Sequence, residues 1–296
     1  MWPPTPRRSP LRSIMHAASG TRREQQGRFL SLGFDEMISS DLADRLIRAG
    51  VDPSDITDPE DAWLRLHEVF GVRATLIDRY ELEAHCRGVE VDALPADERR
   101  DIAWRVIAAH TPGMELLGEP GGDPVEVVPY DPEWPARFDF WSERLATALA
   151  PTQVVIHHVG STSVEGLAAK PVIDVLVIVP DVDDEDAYLP GIESCGVPLR
   201  TREPDHRYFR PPKGAPRVVQ VHVADEKRGW GLNHLLFRDY LRTHPRVRDA
   251  YADVKRRLAV TYRDDRLAYN EGKTVFILDT LERAEPWAET VGWRVE

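Results

Sequence analysis

Residues 160–174 bring together residue types that can bind phosphate and a metal ion. Gly160 and Ser161 open a turn of small residues, in which a glycine lets the backbone approach a ligand and the Ser hydroxyl, with backbone N–H groups, can hold phosphate oxygens. Asp174 stands inside the apolar run 172–179. A carboxylate in a buried strand is costly unless it is paired or binds a metal. The segment therefore predicts an anion site next to a strand carboxylate.

The same residues also admit a purely structural interpretation. Residues 160–166 can form an ordinary turn, and Asp174 can be one half of an ion pair with a lysine or an arginine. Lys170, four residues before Asp174, is equally suited to binding a phosphate and to neutralising that carboxylate. We favour the ligand site, because a Gly-Ser turn coupled to a strand carboxylate at this spacing is poorly explained by packing.

Two further groups of polar residues are candidates for the same site. Trp230, His234 and Arg238 recur at intervals of four, which places them on one stripe of a helix. This stripe suits an anionic or base-bearing ligand, and it suits packing equally well. In a strand, Arg207 and Arg210 face opposite sides, so at most one of them reaches a cleft directly.

Alternating strands and helices position these residues in the second half of the chain. Strands are predicted at 125–128, 153–159, 172–179, 206–210 and 217–223, and helices at 133–149, 183–195, 230–243, 246–261 and 265–284. The last two strands are expected to pair antiparallel, and the basic run 255–257 is expected to be a solvated helix face. This pattern predicts an α+β domain in which helices flank a mixed sheet and close the chain.

The composition divides the chain into four parts. These are a disordered basic tail at 1–28, a small helical domain at 29–111, a Pro/Gly linker at 112–124 and the α+β domain at 125–296. The tail holds six Arg and one acidic residue, so an arm for an anionic partner is its alternative role. Apolar periodicity in 29–111 predicts three helices, which begin near Asp41, Pro59 and Pro95.

The composition also limits the classes of partner. The 296 residues include 38 Lys and Arg against 50 Asp and Glu, a formal net charge of −12. This charge disfavours general nucleic-acid binding, because that affinity comes from clustered positive charge. No apolar run is long enough to cross a bilayer. The two cysteines form neither a disulfide framework nor a zinc site, so a reducing cytoplasm is the expected location.

The ordered motifs of the α+β domain resemble the GrpB family, which is assigned to the nucleotidyltransferase superfamily. The resemblance runs from about residue 125 to residue 283. Its motifs are VPYDPEW at 128–134, HVGSTSV at 158–164, GLAAKPVID at 166–174, RYFR at 207–210, HV at 222–223, HLLFRDYLR at 234–242, HP at 244–245, and Tyr269 with EGK at 271–273. The helical residues 29–111 lie outside it.

The resemblance implies a nucleotidyltransferase-like fold and transfer of a nucleoside monophosphate from a nucleoside triphosphate to an acceptor, with Mg²⁺ as cofactor. The expected partner is therefore a nucleotide or another phosphorylated small molecule. The expected catalytic residues are Asp174, which would also bind the metal, His222 and Lys170, and the expected nucleotide-binding residues are Gly160, Ser161, Thr162, Arg207, His234 and Arg238.

The acidic residues of this chain depart from the superfamily pattern. The mechanism usually needs two carboxylates spaced two residues apart on one strand face, and Leu176 occupies the second of these positions. The usual third acidic position coincides with Gln220 and His222, and Asp225 lies just beyond. One Asp and one His could still hold a single ion. The alternative function is a non-catalytic nucleotide- or phosphometabolite-binding module.

Overall fold

The computed structural model describes residues 38–117 and 124–295. The predicted disordered tail, 1–28, lies outside the described residues. The chain divides into two compact units, the N-terminal unit and the C-terminal unit, with the boundary between Pro112 and Gly113. No helix within the described ranges is long and apolar enough to span a bilayer.

The described part of the N-terminal unit is built from helices. They are α1 (Ser40–Arg48), α2 (Pro59–Phe70), α3 (Leu76–Arg87) and α4 (Ala96–His110). The sequence prediction missed α3, because three buried charged residues, Asp78, Arg79 and Glu83, interrupt its apolar repeat. Its start is nevertheless fixed by a capping box between Thr75 and Asp78, which satisfies backbone N–H groups at the helix start.

A six-stranded mixed sheet forms the centre of the C-terminal unit. Its strands are β1 (Glu115–Leu116), β2 (Val155–Val159), β3 (Ile173–Val179), β4 (Leu199–Glu203), β5 (His206–Phe209) and β6 (Val219–Asp225), in the order β1-β4-β5-β6-β3-β2. Strands β3 and β6 pair in parallel, and the other neighbours, including β5 and β6, pair antiparallel. The predicted α+β class with a mixed sheet is confirmed.

Three local differences separate this sheet from the sequence prediction. The strand expected at 125–128 is wrong, since Val128 forms an isolated bridge to Ala169 instead. Strand β4 is missing from the prediction, because its Arg and Glu residues hide the apolar alternation. Strand β1 lies inside the segment predicted to be a linker, and it pairs with β4.

Helices flank the sheet and close the C-terminal unit. They are α5 (Trp134–Leu149), α6 (Leu189–Ser194), α7 (Trp230–Thr243), α8 (Pro245–Thr261), α9 (Arg266–Glu271) and α10 (Thr274–Val291). The helix expected at 183–195 is reduced to a 3₁₀ turn followed by α6. The last predicted helix is two helices, because the chain breaks at Gly272 and Lys273, and glycine is a poor helix former.

Strand alternation gives the sheet two different faces. One face is apolar and packs against α5 and α6 through residues such as Val175, Val221 and Phe209. The opposite face carries Leu176 and Ala224, which pack against Leu235 of α7. That second face also carries the polar residues Asp174, Gln220, His222, His206 and Tyr208, which share the strand positions of even number. The predicted site therefore lies on a face that is only partly covered by a helix.

Candidate anion-binding site

The turn after β2 is pressed against the carboxylate of Asp174. Strands β2 and β3 are antiparallel with Val159 opposite Asp174, so Gly160 is the next residue beyond this pair. Gly160 has φ of +68°, and a Cβ at this position would lie 2.8 Å from Asp174 Cγ and closer still to its Oδ2. Glycine is thus required both by the backbone conformation and by the close approach. We call residues 160–164 the Gly160 turn.

The hydroxyl groups of the Gly160 turn have different roles. Thr162 is buried, and its Oγ1 lies 3.0 Å from His158 Nε2. Ser163 Oγ donates to the carbonyl of Gly160 at 2.6 Å. Ser161 lies beside the phenol of Tyr251, a buried residue of α8 whose pKa is raised by burial. Of the predicted phosphate ligands in the turn, Thr162 is therefore buried in the turn interior, whereas Gly160 and Ser161 are partly exposed.

Asp174 is ionised and held by neighbours on β6. With its amide oriented so that each group meets a partner, Gln220 donates to Asp174 Oδ1 at 2.9 Å. His222 Nε2 lies 3.6 Å from the same oxygen, and the Asp174 side chain is 24% exposed. Burial raises the pKa of Asp174, but the contact with His222, followed by the charges of Lys170 and Lys273, outweighs it and holds the pKa below its usual value.

Three lysines interact electrostatically with this carboxylate, and we call Lys170, Lys255 and Lys273 the lysine cluster. The Nζ atoms of Lys170 and Lys273 both donate to Asn270 Oδ1, at 3.4 and 3.3 Å, and both lie over the ring of Tyr269, at 4.9 and 4.7 Å. Lys255 is 2% exposed and donates to the carbonyl of Ala168. The predicted solvated face at 255–257 is thus wrong for Lys255.

The lysine cluster is electrostatically strained. Burial lowers the pKa of Lys273 to about 8, although Asp174 and Glu271 oppose the shift. Burial, followed by repulsion from Lys273, also places the pKa values of Lys170 and Lys255 well below normal. Within the described ranges, none of the three ammonium groups lies within ion-pair distance of a carboxylate. Three cations around one carboxylate are an arrangement that an added anion stabilises.

A row of side-chain contacts extends from Asp174 across the neighbouring strands, and two histidines form its middle. His222 Nδ1 lies 3.0 Å from His206 Nε2, and His206 Nδ1 lies 3.3 Å from Glu203 Oε2. The ring of Trp230 is stacked between His206 and His234, at 3.8 Å from each centroid. His234 Nδ1 also contacts the carbonyl of Trp230 at 3.0 Å, so this predicted nucleotide ligand is packed in the aromatic stack behind the site.

The two predicted arginine ligands lie elsewhere. Arg207 Nε donates to Glu185 at 2.6 Å and its Nη2 donates to Asp183 at 3.0 Å, on the face opposite Asp174. Arg238 is buried, chelates the carboxylate of Asp239 at 2.7 and 3.0 Å, and donates to the carbonyl of His158 at 3.0 Å. Their donors are engaged in structural bonds.

Arg217, rather than the predicted Arg207, lies beside the site. It donates to the Gln220 oxygen at 2.9 Å and to the Tyr208 hydroxyl at 2.7 Å. No motif marks Arg217, because it stands in the loop before β6. Lys255 had a usable signal: it follows Tyr251 by four residues, so both share one helix face.

The protein side chains do not fit a Mg²⁺ ion held by carboxylates. Mg²⁺ prefers near-octahedral oxygen coordination, and the described residues contain no group of three His, Cys, Asp or Glu that could hold a metal. Leu176 is fully buried and packs near Gly231 of α7. Gln220, at the third acidic position, donates to Asp174 rather than offering a charge.

Asp225 does not replace the missing carboxylates. It pairs with Val179 at the far end of β3, five residues along the strand from Asp174, or about 16 Å. Its buried carboxylate accepts the backbone N–H groups of Lys227 and Arg228, at 2.9 and 3.1 Å. Asp225 therefore shapes the turn after β6 and takes no part in the site.

Comparison with known proteins identifies a family model and several similar proteins for the C-terminal unit. The family model described as GrpB protein matches residues 124–283. A UPF0157 protein of Halalkalibacterium halodurans is 38% identical over 56% of this chain and 85% of its own length. A dephospho-CoA kinase of Mycolicibacterium paratuberculosis is 30% identical over 58% of this chain and 48% of its own length.

Solved structures also align with part of the chain. The crystal structure of the conserved protein GrpB from Enterococcus faecalis aligns with a TM-score of 0.49 and 31% identity, over 55% of this chain and 99% of that one. The structure of a GLD-2/RNP-8 complex aligns with a TM-score of 0.37 and 19% identity, over 50% of this chain and 60% of that one. With more than half of its residues covered by the family model, the chain belongs to the GrpB family.

Proposed function

We propose that this chain is a binding protein for a nucleotide or another phosphorylated small molecule, whose phosphate groups lie between the Gly160 turn and the lysine cluster. The observation that carries the proposal is the convergence of Lys170, Lys255 and Lys273 without carboxylate partners in the described ranges. The three residues come from the loop before β3, from α8 and from the junction of α9 and α10. Separate elements thus supply positive charge to one place.

The balance of charges in the site favours a phosphate group as the ligand. Three ammonium groups interact electrostatically with Asp174, which carries one negative charge. Their lowered pKa values mean that the protonated forms are penalised by burial and by mutual repulsion. A phosphate or diphosphate group returns the missing negative charge and accepts several charge-assisted hydrogen bonds.

Nucleotidyl transfer is the second candidate. It is favoured by the position of Asp174, which touches the Gly160 turn and is 24% exposed. The superfamily that the GrpB resemblance points to uses such a carboxylate with Mg²⁺. At the two positions where acidic residues would complete the metal site, this chain has Leu176 and Gln220. We therefore place nucleotidyl transfer second. The expected cytoplasmic location rests on the sequence alone and stays a prediction.

A ligand panel tests the binding proposal. We expect pyrophosphate and at least one nucleoside triphosphate to raise the melting temperature, because a ligand that binds the native state stabilises it by mass action. Dephospho-CoA belongs in the panel, since the relative named dephospho-CoA kinase shares the matched region. Isothermal titration calorimetry then gives the affinity of each hit, and the absence of any phosphorylated hit would refute the proposal.

Matched variants localise the binding and separate the two candidates. Lys170→Met and Lys273→Met keep the side-chain length and remove the charge, so each should weaken pyrophosphate binding about tenfold or more. Lys227→Met is the control, because Lys227 is exposed after β6. Release of pyrophosphate from a nucleoside triphosphate, measured with Mg²⁺ and several acceptor classes, would favour the transferase if it depends on Asp174.

A further inference from the structure

We propose that Arg217 is a further ligand-binding residue, which makes the site select two linked phosphate groups over one, and that Gln220 is the residue that positions its guanidinium. The lysine cluster and the Gly160 turn would hold the first phosphate group, and Arg217 the second. The inference rests on the proposed function and narrows its ligand class. We call the contacts that join Asp174, Gln220 and Arg217 the amide bridge.

The amide bridge joins a carboxylate to a guanidinium through one neutral side chain. The Gln220 amide nitrogen donates to Asp174 Oδ1 at 2.9 Å, and the Gln220 oxygen accepts from Nε and Nη2 of Arg217, both at 2.9 Å. An amide has the donor and the acceptor that these contacts need, whereas a glutamate here would lack the donor and repel Asp174. The residue at the usual third acidic position thus directs a guanidinium towards the carboxylate.

Two further contacts fix the position of Arg217. The hydroxyl of Tyr208 accepts from Arg217 Nη2 at 2.7 Å and donates to the Gln220 oxygen at 3.0 Å, which closes a ring of hydrogen bonds around the guanidinium. The backbone is anchored as well, because the carbonyl of Val218 accepts the N–H of Ile173, the first residue of β3, at 3.0 Å. Arg217 is therefore held at the starts of β3 and β6, although it stands in a loop.

One nitrogen of the Arg217 guanidinium is left for a ligand. A guanidinium has five N–H groups, and those of Nε and Nη2 are engaged with Gln220 and Tyr208. Among the residues that the structure describes, Nη1 has no hydrogen-bond partner and no carboxylate lies within ion-pair distance of Arg217. The side chain is partly exposed. Two N–H groups on a fixed cation are suited to charge-assisted hydrogen bonds with phosphate oxygens.

Strand order places Arg217 and the Gly160 turn on opposite sides of Asp174. Strand β3 lies between β2 and β6 in the sheet. Val159, which precedes the turn, pairs with Asp174 from β2, and Gln220 pairs with it from β6. The side chain that holds Arg217 therefore reaches Asp174 from one neighbouring strand, and the turn reaches it from the other.

Charge and distance together point to a ligand longer than one phosphate group. Two hydrogen bonds and one amide group join the guanidinium to Asp174 Oδ1, so the two are at most about 8 Å apart. Lys170 interacts electrostatically with both Asp174 and Arg217. A single phosphate group can bind either the lysine cluster or Arg217, whereas two linked phosphate groups can bind both. The second phosphate group then meets a positive charge that offsets its repulsion from Asp174.

Calorimetric titration of the full chain with pyrophosphate tests the inference, and orthophosphate is measured by its competition with pyrophosphate. We expect Arg217→Met to lower the affinity for pyrophosphate about tenfold or more and the affinity for orthophosphate much less, so that their ratio falls. Lys227→Met, which removes an exposed positive charge beyond the other end of β6, is the control. A merely structural role of Arg217 would lower both affinities together and leave the ratio unchanged.

Two milder variants keep the test decisive if Arg217→Met is unstable in thermal melting. Arg217→Lys keeps the charge but loses the planar fork, and Gln220→Met removes both bonds of the amide bridge but leaves the guanidinium. Each should lower the ratio of pyrophosphate to orthophosphate affinity several-fold.

The outcomes distinguish the inference from the proposed function. Pyrophosphate binding by the wild type with an unchanged ratio in the folded variants overturns the inference and leaves the proposed function intact. Absence of binding of both anions by the wild type overturns the proposed function and, with it, the inference.

Discussion

The two units both bury charged side chains, but they neutralise them in different ways. In the N-terminal unit, Arg79 Nη1 lies 2.7 Å from Glu83 Oε2, and both side chains are nearly buried. Arg45 likewise pairs with Asp78. In the C-terminal unit, the lysine cluster has no carboxylate within ion-pair distance in the described ranges. Buried charges that are paired fit a structural role, whereas clustered cations without a carboxylate partner fit a binding site for an anion.

The pKa shifts of charged groups in the two units show the same difference between paired and unpaired charges. Burial raises the pKa of Glu83, but Arg79 and Arg87 outweigh it, so the carboxylate remains ionised at a pKa below its usual value. For Lys255, burial lowers the pKa and repulsion from Lys273 adds to it. The charged form is therefore favoured in the first case and penalised in the second. Substitutions should have opposite effects on stability in the two regions.

The largest loss of stability is expected for Arg79→Met in the N-terminal unit. It leaves Glu83 nearly buried with Arg87 as its remaining partner, and breaking a buried pair costs about 3 kcal/mol. Urea unfolding measures the change. Arg65→Met is the control, because Arg65 forms an exposed pair with Asp61 and should cost under about 1 kcal/mol. Similar small losses in both variants would contradict a structural role for the buried pair.

A smaller loss of stability is expected for Asp174→Asn, with a gain in binding. The amide keeps the shape but removes the charge that offsets the lysine cluster, so the free energy of unfolding should fall by about 2 kcal/mol. Pyrophosphate affinity should rise, because the carboxylate no longer repels the ligand. Loss of binding, together with loss of Mg²⁺-dependent turnover, would favour the transferase instead.

Lys255→Met should separate binding from stability most clearly. Removing a buried ammonium group whose charged form is penalised should leave the melting temperature unchanged or slightly higher, despite the lost hydrogen bond to the Ala168 carbonyl. Pyrophosphate affinity should fall about tenfold. A fall in melting temperature with unchanged affinity would move Lys255 into the structural class that Arg79 represents.

The sequence predicts the local part of the site better than the distant part. The Gly160 turn and Asp174 are separated by a short loop, and the chemistry of Gly, Ser and a strand carboxylate is visible without a fold. The apolar run of β3 likewise predicts a strand that is covered on both faces, and the structure confirms it. Where a contact joins neighbours in sequence, residue types and periodicity are sufficient to predict it.

Contacts between residues far apart in sequence, and elements rich in charged residues, are not visible in the sequence for a physical reason. Lys255 stands in a basic run, and composition alone cannot show that its ammonium group reaches the Ala168 carbonyl 87 residues earlier. The pairing of His206 with His222 depends on the antiparallel register of β5 and β6. Helix α3 and strand β4 are hidden because their charged residues are satisfied by tertiary partners, which removes the apolar pattern that periodicity detects.

Lys273 links stability and binding to pH with opposite signs. Burial lowers its pKa to about 8 from the ordinary 10.5. The unfolded chain therefore holds this proton between about pH 8 and 10.5 while the folded chain releases it, so the contribution of Lys273 to stability rises with pH in this window. A bound phosphate favours the ammonium form, so pyrophosphate affinity should fall over the same window by up to about tenfold per pH unit. Urea unfolding and calorimetry of the wild type and Lys273→Met measure both slopes, and other titrating groups cancel in the difference. Equal slopes in the two proteins would show that Lys273 is not part of the anion-binding site.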